Sequence, residues 1–342
     1  MNLLLTGCAG FIGLNFLEHF IKQNHGYKKI YSVDKMGYAT RYNRERYYSI
    51  CVDNKISIID FNLNEISGNL NIDKEKFHIL NFASESHVDN SIKNPFGIFE
   101  ENVMIPASCI KIVGGLEYVD KFVHISTDEV YGEIPLEEIG NFDKWFKTDT
   151  SIKPNNPYAA SKASQDCFLM SLKHTFGINV KFIRLANQFG PYQYLEKMCP
   201  ATFLRVLNGK SIKIYGEGKN IRQWTPVVDS VKIIYDALSG ILDDCFENNV
   251  LHISKYEKID GNQKLYNNNE IVRLWEELLK EYIREKGYLL CISKEYIEDR
   301  KGHDTAYALQ THPKIQEYFK VSIRQRFKET LNHYCENERI YK

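Results

Sequence analysis

The chain has 342 residues, with 44 Lys+Arg against 44 Asp+Glu, and is 43% hydrophobic, 13% aromatic and 26% charged. At roughly 100–200 residues per domain, this length holds about two domains around a well-buried core, and the apolar content excludes a disordered chain. A net charge of zero, with no block of about five or six cations, excludes a nucleic acid as partner, so any anionic ligand must be met locally.

In chain order, Leu3-Leu4-Leu5 opens a strand over Asn2–Thr6. No basic leader precedes it and no run of about eighteen apolar residues follows anywhere, so a cytoplasmic protein with no membrane contact is expected. Further strands are predicted at Lys29–Asp34, Ile56–Asp60, His78–Phe82, Lys121–Ser126 and Asn179–Arg184. Between them, Phe11, Leu14, Leu17 and Ile21 share one helical face, and Ile98, Val103, Ile110 and Val113 share another. Strands alternating with helices are the pattern of βαβ units in a parallel sheet. After Arg184 the alternation weakens. Gly216-Glu217-Gly218 and Tyr266-Asn267-Asn268-Asn269 read as turns and Glu270–Glu285 as an amphipathic helix, which suggests a smaller C-terminal lobe. The eight cysteines all lie more than thirty residues apart, which reads as free thiols in a reducing compartment.

Thr6-Gly7-Cys8-Ala9-Gly10-Phe11-Ile12-Gly13 joins the first strand to the first helix. One glycine would make the tight turn, one would admit a pyrophosphate close to the backbone, and one would allow close helix–strand contact, with the helix N-terminus offering free N–H groups. Asp34 ends the second strand 21 residues after Gly13, where a carboxylate accepts from a ribose diol and repels a 2′-phosphate. The fold class is therefore α/β, a Rossmann-type doubly wound parallel sheet with a smaller C-terminal α/β substrate-binding lobe, and the cofactor is NAD. Arg41, Arg44 and Arg46 nearby are either loop charges or phosphate ligands. Asp60 and Phe82-Ala83-Ser84 end strands at the same sheet edge, and Asp60 reads equally well as a helix N-cap.

Tyr158-Ala159-Ala160-Ser161-Lys162 places a phenol and an ammonium four residues apart, on one face of a helix. A tyrosine of reference pKa about 10 becomes a base near neutrality only if phenolate gains roughly 4 kcal/mol of preferential stabilisation. Lys162, with the charge of a nicotinamide, is placed to supply it. Upstream, Ser126-Thr127-Asp128-Glu129-Val130-Tyr131-Gly132 follows the fifth strand. It offers a hydroxyl to orient a substrate alcohol and two carboxylates that a simple dehydrogenase does not need. His87, His124 and His303 have no metal-ligand spacing, so no metal is expected.

These motifs resemble the dTDP-glucose 4,6-dehydratases of the extended short-chain dehydrogenase/reductase superfamily. The resemblance spans nearly the whole chain, through Thr6–Gly13, Asp34-Lys35-Met36-Gly37-Tyr38-Ala39, Ala83-Ser84-Glu85-Ser86-His87-Val88-Asp89, His124–Gly132, Pro157–Ser164, Gly190-Pro191-Tyr192-Gln193 and Asp299-Arg300-Lys301-Gly302-His303-Asp304. Thr127-Asp128-Glu129 is its specific part, because related epimerases share the Tyr/Lys pair without the Asp-Glu pair. The resemblance implies that Tyr158 deprotonates the glucose 4-hydroxyl, Thr127 holds that oxygen, Glu129 takes the C5 proton, and protonated Asp128 serves the departing 6-hydroxyl. The product would be a 4-keto-6-deoxy sugar nucleotide.

It further implies cofactor contacts from Gly7, Gly10, Phe11, Ile12, Gly13, Asp34, Lys35, Asp60, Phe61, Phe82, Ala83, Ser84, Tyr158 and Lys162. Substrate contacts would come from Ser86, Thr127, Asn187, Lys197, Met198, Lys213, Tyr215, Arg222, His252, Asp299, Arg300 and His303. Residues 1–184 with roughly 225–255 would form the NAD-binding domain, and 185–224 with 256–342 the sugar-nucleotide lobe. Helices around Phe96–Val113 and Tyr158–Thr175 are those this superfamily uses to form a homodimer. The chain departs from the family at Glu101 (usually Thr), Gln188 (Asn), His252 (a substrate-binding Asn), Lys301 (Pro) and Arg222-Gln223-Trp224-Thr225-Pro226. Several departures fall near nucleotide contacts, leaving the base open between thymine and uracil. The alternatives are an epimerase or decarboxylase on the same scaffold, or a non-catalytic NAD sensor.

Overall fold

The apolar run after Met1 forms β1 (Asn2–Thr6), buried along its whole length, as befits a parallel strand covered on both faces by helices. In the computed structural model, which describes residues 1–60, 62–63, 72, 74–259, 262–287, 291–299 and 301–341, it is followed by α1 (Phe11–Phe20), β2 (Ile30–Asp34), α2 (Arg44–Asp53), β3 (Ser57–Asp60) and β4 (Phe77–Asn81). Next come α3 (Val88–Lys93), α4 (Pro95–Val103), α5 (Ile105–Ile112), β5 (Val119–Thr127), α6 (Pro157–Phe176) and β6 (Val180–Leu185). The predicted helical face from Ile98 to Val113 is broken at Met104. Pro106 in the first turn of α5 lacks an N–H, and its ring crowds the carbonyl of Asn102, so one helix becomes two.

The remainder comprises β7 (Asn187–Phe189), α7 (Met198–Leu207), β8 (Ile212–Tyr215), β9 (Ile221–Arg222), β10 (Trp224–Pro226), α8 (Val227–Ser239), β11 (Val250–Ile253), β12 (Glu257–Ile259), β13 (Asn262–Lys264), β14 (Tyr266–Asn267), α9 (Asn268–Glu285), β15 (Lys294–Ile297), α10 (Pro313–Gln316) and α11 (Ile323–Glu336). Tyr266–Asn269, expected as a turn, instead runs from a short strand straight into α9. Asn267 and Glu270 form a reciprocal capping box that starts the helix without an intervening loop.

The main sheet has the order β11-β6-β5-β4-β1-β2-β3, and every pairing in it is parallel. Because β1 is flanked by β2 on one side and β4 on the other, the strand order reverses at the β1/β4 boundary, which opens a crevice beyond their C-terminal ends. One sheet face packs Leu3, Phe16 and Ile234 with α1 and α8; the other packs Leu4, Phe77 and Phe122 with α5 and α6. A separate core around Trp275, Trp224, Phe203 and Phe327 holds the C-terminal elements together.

Candidate active site

The crevice is a cleft of about 860 Å³ that begins at the glycine turn and ends at Lys213 and Tyr215. Gly7 has a positive φ of +72°, and a Cβ there would stand 2.6 Å from the Ala83 nitrogen; one on Gly13 would stand 2.3 Å from the Gly7 carbonyl oxygen. Those two positions therefore hold α1 hard against β1 and β4, while Gly10 caps α1 and lines the cleft together with Phe11 and Ile12. Asp34 accepts from the Ala9 N–H at 2.9 Å and the Met36 N–H at 3.0 Å, and burial raises its pKa. Each carboxylate oxygen keeps a lone pair for a ribose hydroxyl. Phe82, Ala83 and Ser84 close the opposite wall. This cradle fits a dinucleotide with a free ribose 2′-hydroxyl.

The neighbouring cations are occupied by the protein. Arg44 donates to the carbonyls of Met36 and Gly37, Arg46 pairs with Glu18 at 2.7 Å, and Arg41 lies over the Tyr42 ring. Lys35 lines the cleft and pairs with Glu101 and Glu85. Asp60 sits opposite Asp34 in the sheet register but is exposed and does not line the cleft. Phe61 lies outside the described residues.

Thr127 ends β5, and its Oγ1 donates to Asp128 Oδ1 at 3.2 Å and accepts from the Glu129 N–H at 3.4 Å, capping a single helical turn that carries both carboxylates. Gly132 closes that turn at a φ of +86°, where a Cβ would stand 2.5 Å from the Lys153 carbonyl oxygen. Asn156 then joins the two halves of the site. Its Oδ1 accepts from the Ala159 N–H at 2.8 Å, capping α6, and its Nδ2 donates to Glu129 Oε2 at 3.0 Å. Pro157 occupies the first turn of α6, so Tyr158 stands at the helix entrance and lines the cleft together with Thr127.

Burial and the adjacent Glu129 charge push Asp128 up to about 7, opposed by the cation of Arg222. Its Oδ2 is buried without a hydrogen-bond partner, and the residue lines the cleft. Burial, then the charges of Glu129 and Asp128, raise Tyr158. Burial pushes Lys162 down to about 8. The Lys162 ammonium donates to the Ile125 carbonyl at 2.8 Å and to Gln165 Oε1 at 2.7 Å. The protein alone thus keeps the phenol protonated, and the cationic ring of a bound nicotinamide has to help Lys162 lower it.

Of the expected substrate residues, Ser86, Asn187, Lys197, Met198, Lys213, Tyr215, Arg222 and His303 line the same cleft. Lys197 donates to the Ser86 carbonyl at 2.9 Å, tying the lobe to the sheet edge. Arg222 lies 4.2 Å over the Tyr307 ring and donates to the carbonyls of Ile221, Asp304 and Thr305. Asp299 does not line the cleft but holds the His303 ring at 2.6 Å. His252 is not in the cleft: it is buried on β11 against Tyr131 and the Gln310 carbonyl, because its strand lies at the far edge of the sheet. Arg300 lies outside the described residues. Asn156 carries one sequence signal, as an Asn before Pro157 marks a helix start, and that signal does not point to Glu129. Asp166 and Arg184 belong to no short motif, and His124, which has no metal-ligand spacing, instead lies 3.3 Å from Lys162 Nζ.

A parallel sheet with this strand order, a glycine turn at its switch point and a Tyr-x-x-x-Lys helix facing it defines an enzyme of the short-chain dehydrogenase/reductase class. The family model described as GDP-mannose 4,6 dehydratase matches residues 4–332, and the chain belongs to that family. It is 30% identical over 347 residues to dTDP-glucose 4,6-dehydratase 1 of Escherichia coli (strain K12), covering 95% of this chain and 91% of that one. A dTDP-glucose 4,6-dehydratase from Streptomyces venezuelae, solved with NAD bound, superposes with a TM-score of 0.77 at 26% identity, covering 100% and 99% of the two chains. A UDP-glucose 4-epimerase from Thermus thermophilus shares the fold, with a TM-score of 0.76 at 21% identity over 98% of this chain and 100% of the other.

Proposed function

We propose that the protein is an NAD-dependent hydro-lyase that converts an NDP-glucose, with dTDP-glucose or UDP-glucose as the leading substrates, into the NDP-4-keto-6-deoxy sugar. The observation that carries this reading is the turn after β5, which sets Thr127, a buried Asp128 and an Asn156-held Glu129 beside Tyr158. When bound, NAD supplies the acceptor for the C4 hydride and the donor that later reduces C6.

Tyr158, with Lys162 beneath it on α6, takes the proton of the 4-hydroxyl while Thr127 holds that oxygen. The C4 ketone acidifies C5–H, and Glu129, fixed by Asn156, removes that proton. Asp128 protonates the departing 6-hydroxyl and water leaves. A carboxyl pushed up to about 7 retains a proton for this step near neutrality, as an acid paired with a basic neighbour must. Reprotonation at C5 completes the product. An epimerase or decarboxylase expels no 6-hydroxyl and has no use for a protonated carboxyl at that place.

The cleft, lined from both parts of the chain, supports the division expected from the sequence. Residues 1–184 with roughly 225–255 would carry the cofactor, and 185–224 with 256–342 would carry the nucleotide sugar. The dimer expected from the family would use α4 and α6, since Phe96 is 82% exposed, with Phe99 and Met104 also exposed nearby. All eight cysteines are free thiols, which supports a reducing, cytoplasmic setting. Among the described residues, no helix is long and apolar enough to cross a membrane.

The test is to incubate the purified protein with dTDP-glucose, UDP-glucose and GDP-mannose, following the loss of one water by mass and the alkali-induced absorbance of a 4-keto-6-deoxy sugar. Dehydration of one nucleotide sugar is expected. Isomerisation without loss of water would select the epimerase, and no conversion of any of the three would overturn the assignment.

A further inference from the structure

Tyr158, Lys162 and Asp166 are spaced four residues apart on α6, so they form three rungs along one buried face of the helix. The third rung has no part in the proposed chemistry, and yet it is 1% exposed and completely enclosed. Its Oδ2 accepts from Ser126 Oγ at 3.1 Å and from Arg184 Nε and Nη2 at 3.2 and 3.0 Å. Its Oδ1 is buried with no hydrogen-bond partner. His124 bridges the gap on that side, its Nε2 lying 3.3 Å from Lys162 Nζ and 3.6 Å from Asp166 Oδ1. Burial raises the pKa of Asp166, and the charges of Arg184 and Lys162 oppose it; paired with that guanidinium, a carboxylate with a bare oxygen, one helical turn from an ammonium, acts on that ammonium through a low local dielectric.

We infer that Asp166 is a positioning residue of the catalytic pair: its carboxylate, locked by Arg184 and Ser126, is the buried counter-charge that keeps the Lys162 ammonium protonated beneath Tyr158. The inference rests on reading Tyr158 and Lys162 as that pair. It assigns a role to a residue that touches neither substrate nor cofactor.

The lock extends beyond Asp166 in one direction. Gln310 offers His252 a carbonyl, which can only accept, so His252 Nδ1 carries the ring proton and Nε2 accepts from Tyr131, whose oxygen accepts in turn from Arg184 Nη1 at 2.5 Å. Burial keeps His252 neutral, pushed down to about 3. The chain of donors from Arg184 to the Gln310 carbonyl therefore holds the guanidinium against Asp166 without adding a competing charge.

The charged and titratable groups facing Lys162 and its partner are few. His124 approaches from β5, Asp166 and Tyr158 lie on α6, and Arg184 comes from β6, while Glu129, Asp128 and Glu85 act on Tyr158 from the cleft side. His124 is buried and held well below its usual range, so it stays neutral. Asp166 is the one of these groups whose charge supports the ammonium against desolvation.

The experiment titrates Tyr158 in the NAD-loaded protein by near-ultraviolet difference spectroscopy, as the wild-type spectrum minus that of Tyr158→Phe. It does not depend on turnover, so it stands whether or not a sugar nucleotide is dehydrated. Asp166→Asn lets Lys162 lose its proton at lower pH and should raise the phenolate midpoint by about one unit or more, while Asp166→Glu, which keeps the charge, should leave it within a few tenths. Since Asp166→Asn leaves Arg184 unpaired, the double variant Asp166→Asn, Arg184→Gln is measured beside it, with folding checked by circular dichroism. Single-turnover oxidation at C4 should fall about tenfold or more in the Asn variants with little change in substrate KM. An unmoved midpoint in a folded Asn variant, an equal shift in Asp166→Glu, or failure of both Asn variants to fold would each overturn the role.

Discussion

Asn156 donates to Glu129 and not to Asp128, so two carboxyls adjacent in sequence occupy opposite surroundings, one held by an amide at 3.0 Å and one buried with a bare oxygen. A single helical turn after β5 creates that asymmetry, and the proposed division of labour between acid and base rests on it. In the proposed mechanism Asp128 must be protonated to release water, and its pKa is pushed up to about 7, so its competent fraction falls as pH rises through that value. The elimination step should therefore weaken on the alkaline side of neutrality. Asp128→Asn should remove that limb and slow elimination by roughly 10²-fold or more while oxidation at C4 is less affected. Rapid-quench single turnovers separate the two steps, and equal slowing of both would contradict the assignment.

The same burial has a cost for the fold. The folded-state pKa of Asp128 lies above the unfolded value of 3.8, so the folded protein binds the proton more tightly, and stability declines as pH rises from about 4 to about 7. Replacing the group with Asn removes the desolvated charge. Asp128→Asn should raise the melting temperature at alkaline pH and leave it nearly unchanged in acid. The difference is at most roughly 4 kcal/mol, the equivalent of about three pKa units. Thermal unfolding of both proteins across the pH range checks this.

Tyr158 and Lys162 should differ in how their loss appears. Tyr158→Phe deletes the proposed proton acceptor, and C4 oxidation should fall by about 10²–10⁴-fold with the substrate still bound. Lys162→Met keeps the phenol but removes the ammonium set against burial and the Glu129 and Asp128 charges, all of which raise its pKa. Its residual oxidation should therefore recover with rising pH, whereas that of Tyr158→Phe should not. Parallel pH profiles for the two variants would show that Lys162 does not act through the phenol.

The glycine turn gives a prediction that separates the two glycines from ordinary loop positions. A Cβ at Gly13 would lie 2.3 Å from the Gly7 carbonyl oxygen and 2.7 Å from Cys8 Cα, both backbone atoms that cannot step aside. Gly13→Ala should destabilise the protein by about 1–3 kcal/mol and abolish NAD binding measured by calorimetry. Gly140→Ala, with open space around its Cβ, should change neither.

Much of this site was legible in the sequence because the deciding features are local. The glycine turn, the Asp34 strand end, the Thr127-Asp128-Glu129 turn and the Tyr158/Lys162 pair each lie within a few residues, and the sheet order brings their ends together. What stayed hidden depends on pairing between distant segments. Asp166 meets Arg184 across α6 and β6, Asn102 meets Ser161 across α4 and α6, and Lys35 meets Glu101 across the cleft, and nothing in the intervening chain marks those partners. His252 shows the opposite error. A family position suggested a ligand, but β11 forms the edge of the sheet remote from the cleft, so the imidazole serves the Arg184 lock instead.

The outer face of the helix pair supplies the last prediction. On α4, Phe96 and Phe99 are three residues apart and project together, 82% and 39% exposed, with Met104 at 45% just beyond the helix. On α6, which packs against α4, Cys167 and Ser171 are exposed and Ala160, Ser164 and Phe168 are half-buried. That mixture of small side chains and aromatics would let a second copy of the two helices approach closely, and this is the face the proposed dimer would bury. Sedimentation should therefore give twice the 39.9 kDa of one chain. Phe96→Asp puts a charge at the centre of the contact and should dissociate the dimer without unfolding the sheet, since Phe96 makes no contribution to the buried core. A wild-type protein that sediments as a single chain, or a Phe96→Asp protein that remains paired, would exclude this face.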